Sequence, residues 1–158
     1  MGRLLVVIHN VYSVTRLIEA AKMVYGFNIN DFVVSRAIGA AAQEGVPEVS
    51  KLALKKGRNM IFLKDIDDLL DSIKLGAIFL FVPKQYAKQK FDPYEVLKLL
   101  EEHNVALVFG GAEPGLSKRD LEKGTPVYID IPEDIGTLGT MAIALYNVYL
   151  ASLRGHMQ

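Results

Sequence analysis

The sequence predicts an α/β fold, a parallel sheet covered by helices on both faces. Three observations carry this: short apolar runs recur along the chain, each is continuous rather than alternating, and segments of helical period separate them. A strand buried on both faces has no solvent side to mark with polar residues, so its apolar run is unbroken. Strand, helix, strand in repetition means parallel pairing through right-handed crossovers.

Taken in order, Leu4 to Ile8, Phe32 to Val34, Met60 to Leu63, Ala77 to Val82, Val105 to Phe109 and Val127 to Ile131 read as strands. Val14, Leu17, Ile18, Ala21, Val24 and Tyr25 form the stripe of an amphipathic helix, with Gly26 as its expected stop. Asp92-Pro93-Tyr94-Glu95 supplies an N-cap, a first-turn proline and a capping glutamate, predicting a helix over about 92–103. A last helix, over about 138–153, carries Met141 to Tyr146 and Val148 to Ala151 with almost no polar face. Such a helix must be covered all round, either within its own chain or by a second copy, and an outermost helix favours a homodimer.

The 158 residues hold 18 Lys and Arg against 18 Asp and Glu, so net charge is zero and nucleic acid exerts no global pull. A hydrophobic content of 51% excludes intrinsic disorder. No linker, repeat or low-complexity segment interrupts residues 1–158, which predicts one domain. Zero cysteines exclude disulfides, thiolate nucleophiles and sulfur-bound zinc. With an N-terminal apolar run of only five residues, and no run near the ~18 of a membrane span, the expectation is a soluble cytoplasmic protein without membrane contact.

Candidate chemistry lies in the loops. Walker A and G-x-G-x-x-G motifs are missing, and His9, His103 and His156 are too scattered to predict a metal site. Asp65, Asp67, Asp68 and Asp71 admit two readings, a divalent-metal nuclease centre or a solvated helix start whose acids complement the dipole. Lys51, Lys55, Lys56 and Arg58 form one basic group. Lys84, Lys88 and Lys90 form another beside Tyr86 and Phe91, where phosphate contact and stacking would suit a polynucleotide. Gly110 to Ser117 and Ile131 to Thr140 each follow a strand, so both loops sit at the carboxyl edge where open α/β sheets bind ligands. Their uncharged amides and hydroxyls suit adenine or ribose better than pyrophosphate.

Three motifs in order resemble the SPOUT (SpoU and TrmD) RNA methyltransferases. Asn10-Val11-Tyr12-Ser13-Val14-Thr15-Arg16 is similar to the first SpoU motif, with asparagine six positions before a catalytic arginine. Gly111-Ala112-Glu113-Pro114-Gly115-Leu116-Ser117 resembles the second, and Ile131-Pro132 with Thr137-Leu138-Gly139 the third. The resemblance spans residues 10 to about 150. It implies a carboxyl-terminal trefoil knot, a homodimer packed through its terminal helices, and S-adenosylmethionine held bent in the knot loops. Gly110, Gly111, Glu113, Gly115, Ile131, Pro132, Thr137, Leu138, Gly139 and Thr140 would then line the cofactor, with no metal. Arg16, Asn10 and Glu113 would be the catalytic candidates.

The implied activity is S-adenosylmethionine-dependent methylation of a ribose 2′-hydroxyl in tRNA or rRNA. Gly139 stands where the motif usually has asparagine, and the stretch before it is two residues short. This motivates an alternative, a non-catalytic knotted protein that binds the cofactor or RNA.

Overall fold

The computed structural model describes residues 1–113 and 115–156. Its sheet comprises β1 (Leu4–Val11), β2 (Asp31–Ala37), β3 (Asn59–Leu63), β4 (Ala77–Phe81), β5 (Gln89–Lys90), β6 (Val105–Gly110) and β7 (Thr125–Tyr128). They lie in the order β3-β2-β1-β6-β4-β7-β5, and every pair is parallel. The helices are α1 (Val14–Gly26), α2 (Val46–Lys56), α3 (Ile66–Ser72), α4 (Pro93–Leu100), α5 (Lys118–Leu121) and α6 (Gly136–His156).

Alternation along each strand sorts the core into two layers. Val6 and Ile8 of β1, with Phe32, Leu107 and Phe109, meet Leu17 of α1, Val49 of α2, Val96 of α4 and Leu145 of α6. Leu5 and Val7, with Val33, Ala106 and Val108, meet Ile66 and Leu69 of α3 on the other face. The parallel α/β architecture covered on both sides is therefore as expected.

The differences are local. β5 is a two-residue edge strand, too short to leave a sequence pattern. α2 is also new, although Val46, Val49, Leu52 and Ala53 have helical spacing; a π-helical turn over Ala41–Gly45 precedes it and Gly57, at φ 65°, ends it. α1 runs through Gly26, and Asn28 takes the left-handed turn at φ 61°. α4 stops at Leu100; Asp92 caps it by accepting from the Tyr94 amide, while Glu95 accepts from the Gln89 amide group instead of completing a capping box.

α6 lays Met141, Ala144, Leu145, Val148 and Ala151 on the core. It packs against α1 and α4, leaving Tyr146, Tyr149 and Leu153 exposed. Contrary to the expectation that no segment reaches membrane-spanning length, Gly136–Gly155 is long and apolar enough to cross a bilayer by length and composition. Its inner face is buried in the core, about a quarter of that apolar stretch.

Candidate functional site

β1 and β6 are neighbours at the centre of the sheet, and the chain continues from β1 to β2 on one side and from β6 to β7 on the other. Such a switch point opens a crevice beyond the carboxyl ends of the two strands, because their following loops leave toward opposite faces. The loop after β1 carries Asn10 and leads through Ser13 to Arg16 in the first turn of α1. Ser13 caps that helix, its hydroxyl accepting from the Arg16 amide at 3.1 Å.

The loop after β6 is clamped from both sides. Arg16 Nη1 donates to the Gly111 carbonyl at 2.7 Å, and Thr137 Oγ1 donates to the Gly110 carbonyl at 2.6 Å. Gly111 N donates to the His9 carbonyl at 2.7 Å, extending the contact with β1. Neither glycine leaves room for a side chain. A Cβ on Gly111 would stand 2.8 Å from Val11 Cβ and 3.0 Å from the Asn10 carbonyl oxygen; one on Gly110 would stand 3.0 Å from Gly115 Cα. The glycines thus let the loop fold onto β1 and onto itself.

The structure brings Asn10, Arg16, Gly110, Gly111, Gly115 and Thr137 together at this edge. Glu113 is exposed in the turn of the loop, and Pro114 lies outside the described residues. Ile131 lines a separate cavity of about 210 Å³ with Lys90, Tyr128, Ile143 and Asn147, while Pro132 is exposed. Leu138, Gly139 and Thr140 lie half-buried in the first turns of α6, and a Cβ on Gly139 would stand 2.8 Å from the exposed side chain of Ile135.

A polar cluster missed in the sequence lies behind the loop, on the α3–α5 face. His9 is fully buried, with Nδ1 2.9 Å from Ser35 Oγ and Nε2 3.5 Å from Asp120 Oδ2. Burial lowers the His9 pKa below that of a free imidazole; Asp120 and Asp65 oppose this, whereas Arg36 and Lys123 reinforce it. Asp120 caps α5 reciprocally with Ser117, accepting from the Ser117 amide at 2.9 Å. Arg36 donates to Asp65 at 2.8 Å. Burial pushes the Asp65 carboxyl up, but the Arg36 hydrogen bond and the Ile66 amide hold it below the usual carboxylate range.

Asn10 and Arg36, between the His9–Ser35 and Val11–Ala37 pairs of β1 and β2, stand at φ 65° and 54°. Non-glycine residues rarely take this left-handed conformation, and it concentrates where the surrounding structure demands a particular backbone. The signal for the cluster was present: one histidine closing an apolar run, and a serine and arginine closing the next.

The acids of the 65–71 segment follow the helix-start reading. Asp65 and Asp68 form the capping box of α3, and Asp67 pairs with Lys123 at 3.0 Å. Among the described residues, no three His, Asp or Glu side chains are grouped to hold a metal ion. The lysine-aromatic stripe needs correction. Phe91 is buried against Phe81 and Phe79 because β5 turns it inward, and Lys90 lies 3.8 Å from Asp130, leaving Tyr86 as the exposed ring.

Comparisons with known proteins divide between fold and family. The SpoU methyltransferase AviRb from Streptomyces viridochromogenes, in complex with AdoMet, matches 96% of this chain and 58% of its own at TM-score 0.74 and 11% identity. A structure concerned with the 2-OH methylation of C/U34 on tRNA matches 98% of each chain at TM-score 0.74 and 14% identity. These likenesses show that the fold is of SpoU methyltransferase type. By sequence, "Putative type II restriction enzyme MjaORF1200P" of Methanocaldococcus jannaschii is 37% identical over 148 residues, 94% of this chain and 97% of that protein. "Putative type II restriction enzyme ApeKORF2002P" of Aeropyrum pernix is 33% identical over 141 residues, 89% of this chain and 88% of that protein. Residues 39–147 match the family model described as RecB-family nuclease (DUF2122). The expected identity as an RNA 2′-O-methyltransferase, with a non-catalytic knotted binder as alternative, is overturned by these relatives. Short loop motifs track a shared fold, whereas identity along nearly the whole chain tracks descent, and by descent the chain belongs to the RecB-family nuclease (DUF2122) family.

Proposed function

We propose that the chain is a nucleic-acid enzyme that holds an S-adenosylmethionine-type cofactor at the carboxyl edge of β1 and β6. The observation that carries this is the double clamp on the glycine loop, in which Arg16 and Thr137 hold two successive carbonyls at the switch point. With the carbonyls of Gly110 and Gly111 turned inward and fixed, the loop presents a shaped backbone surface at these two positions. Such a surface suits the flat, uncharged edges of adenine and ribose. The SpoU-type fold, shared with an AdoMet-bound structure, supports the same ligand class.

Glu113, exposed on the loop, would face the positive end of the ligand; Gly110, Gly111 and Gly115 would shape its cradle. Ile131, Pro132, Thr137, Leu138, Gly139 and Thr140 would form the opposite wall. When bound, such a cofactor supplies an electrophilic carbon. The family name supports nucleic acid as the macromolecular partner, and the trefoil threading implied by the motifs belongs with this reading. Association of two copies through α6 belongs with it as well, since Tyr146, Tyr149 and Leu153 stay exposed on the helix.

Titration calorimetry and melting with S-adenosylmethionine and its demethylated product test the cofactor. Ligand at a hundred times its dissociation constant stabilises the native state by about 2.7 kcal/mol, a melting shift of several degrees. The absence of both heat and melting shift at millimolar ligand would overturn the reading. Cleavage of duplex DNA in magnesium, with and without the cofactor, shows whether the family's named activity is present and whether the cofactor controls it.

A further inference from the structure

His9 lies behind the glycine loop and, like Ser35 beside it, is fully buried. Its Nε2 is without a hydrogen-bond partner among the described residues, although Asp120 Oδ2 lies 3.5 Å away. A buried nitrogen left unpaired is costly, and a carboxylate just beyond bonding range is an unusual neighbour for it. The contact stands about half an ångström outside an ordinary hydrogen bond.

The bonding pattern assigns the proton. A carboxylate opposite Nε2 disfavours a bare lone pair there, so the neutral ring carries its hydrogen on Nε2 and its Nδ1 accepts from the Ser35 hydroxyl. Binding a proton from solvent places a second hydrogen on Nδ1. The Ser35 hydroxyl must then turn to accept, and Nε2–H faces Asp120 as half of a full ion pair. The charged groups facing His9 are Asp120 from α5, Arg36 from β2, Asp65 before α3 and Lys123 after α5. Only Asp120 is placed to close on the ring directly.

Asp120 does not act on His9 alone. The same Oδ2 accepts the Ser117 amide at 2.9 Å, and the Ser117 hydroxyl accepts the Asp120 amide at 3.1 Å. Ser117 ends the Gly110–Ser117 loop, so any movement of Asp120 toward β1 draws the end of the loop with it. On the other side, the His9 carbonyl accepts from Gly111 N, at the start of that loop. One residue of β1 therefore holds the start of the loop by its main chain and faces the group that holds its end, Asp120, across 3.5 Å.

We propose that His9 is a positioning residue for the glycine loop: its protonation closes the His9–Asp120 contact and tightens the loop through Ser117. This rests on the loop being the ligand edge only for its consequence in binding; the movement itself is a property of the chain without ligand.

The experiment is a pH series from 7.5 to 4.5 on the whole protein, by histidine-edited NMR and amide hydrogen exchange, with protection corrected for intrinsic exchange. The expected result is a His9 titration below 6.5 and, at the same midpoint, at least a threefold rise in protection of the Ser117 and Asp120 amides. Asp120→Asn keeps the shape and removes the carboxylate charge, and should abolish the step in protection while His9 still titrates. His9→Gln should abolish it too, with circular dichroism at pH 7.5 confirming that each variant folds. A His9 that stays neutral down to pH 4.5, one that titrates without a change in protection, or a step that survives Asp120→Asn would each overturn the proposal. Calorimetry with S-adenosylmethionine across the same series separates the two readings: a step in protection without binding removes the cofactor and keeps the positioning role, whereas binding with no step does the reverse.

Discussion

Arg16 and Gly111 lie 95 positions apart in the chain, and a 2.7 Å hydrogen bond from the guanidinium to the carbonyl joins them. The arginine is thus committed to the loop after β6 rather than free in solvent. Half-buried and charge-assisted, this bond is worth more than a surface contact, on the order of 1 kcal/mol.

Arg16→Ala should therefore lower stability by about 1 kcal/mol, a fall of a few degrees in Tm, where an exposed first-turn arginine would cost almost nothing. Urea unfolding checks it. Calorimetry on the same variant should show weakened cofactor binding, because the loop loses one of its two clamps. Arg16→Lys should recover part of the stability, since an ammonium can still donate to one carbonyl.

Two glycines should behave oppositely. Gly111→Ala forces a Cβ against Val11 Cβ and the Asn10 backbone, groups that the central strand cannot yield, and should destabilise by about 1–3 kcal/mol. Gly139→Ala meets the exposed Ile135 side chain at 2.8 Å (Cδ1), 2.9 Å (Cγ1) and 3.3 Å (Cβ), so that side chain must turn and its Cβ give by a few tenths of an ångström. It should be neutral or stabilising by up to about 1 kcal/mol, the gain in helix propensity. Paired thermal melts decide both signs.

Stability should fall as the pH drops below 6.5. The burial of His9 lowers its pKa in the folded state, so between the folded and unfolded values the unfolded chain binds a proton that the folded chain refuses. The contribution is complete above 6.5 and is lost as pH falls toward the folded value. A second loss should follow below about 4 from Asp31 and Asp65, whose carboxyls are held low. For Asp31, burial works the other way and is outweighed by Arg3 and Asn59. Denaturant midpoints at pH 7.5, 5.5 and 3.5 should step down twice, and His9→Gln should erase the first step only.

Light scattering at micromolar concentration should report twice the 17.5 kDa chain mass. Tyr149→Asp should weaken that association with folding intact, because the ring is exposed on α6 beside Phe27 and Tyr146. A charge at Ala144 tests something else: this residue is fully buried in its own chain, so the substitution should unfold the protein.

Much of the site was legible because it is local. Ser13 ahead of Arg16, the glycine pair after a buried strand, and Asp65 ahead of Ile66 each leave a mark within a few residues. Phe91 misled because an edge strand of two residues has no period of its own, and the inward turn of its ring is imposed by β7. His9 and Asp120 left no joint mark. They are 111 residues apart, and nothing about either predicts that α5 will seat one on the other.

The sequence by itself determined the parallel α/β architecture, through unbroken apolar runs and helical stripes, since burial on two faces and on one face impose different periods. It determined the starts of α3 and α4, where Asp65 and Asp92 cap the first turn, because an amide left unpaired there selects an oxygen nearby in the chain. Only the tertiary structure decided which loops meet: the order β3-β2-β1-β6-β4-β7-β5 sets β6 beside β1, and with it Arg16 against Gly111 and Thr137 against Gly110. Strand order is a global choice among ways of burying the same surfaces, so no single segment encodes it, and the geometry of the edge appears only when all the strands are in place.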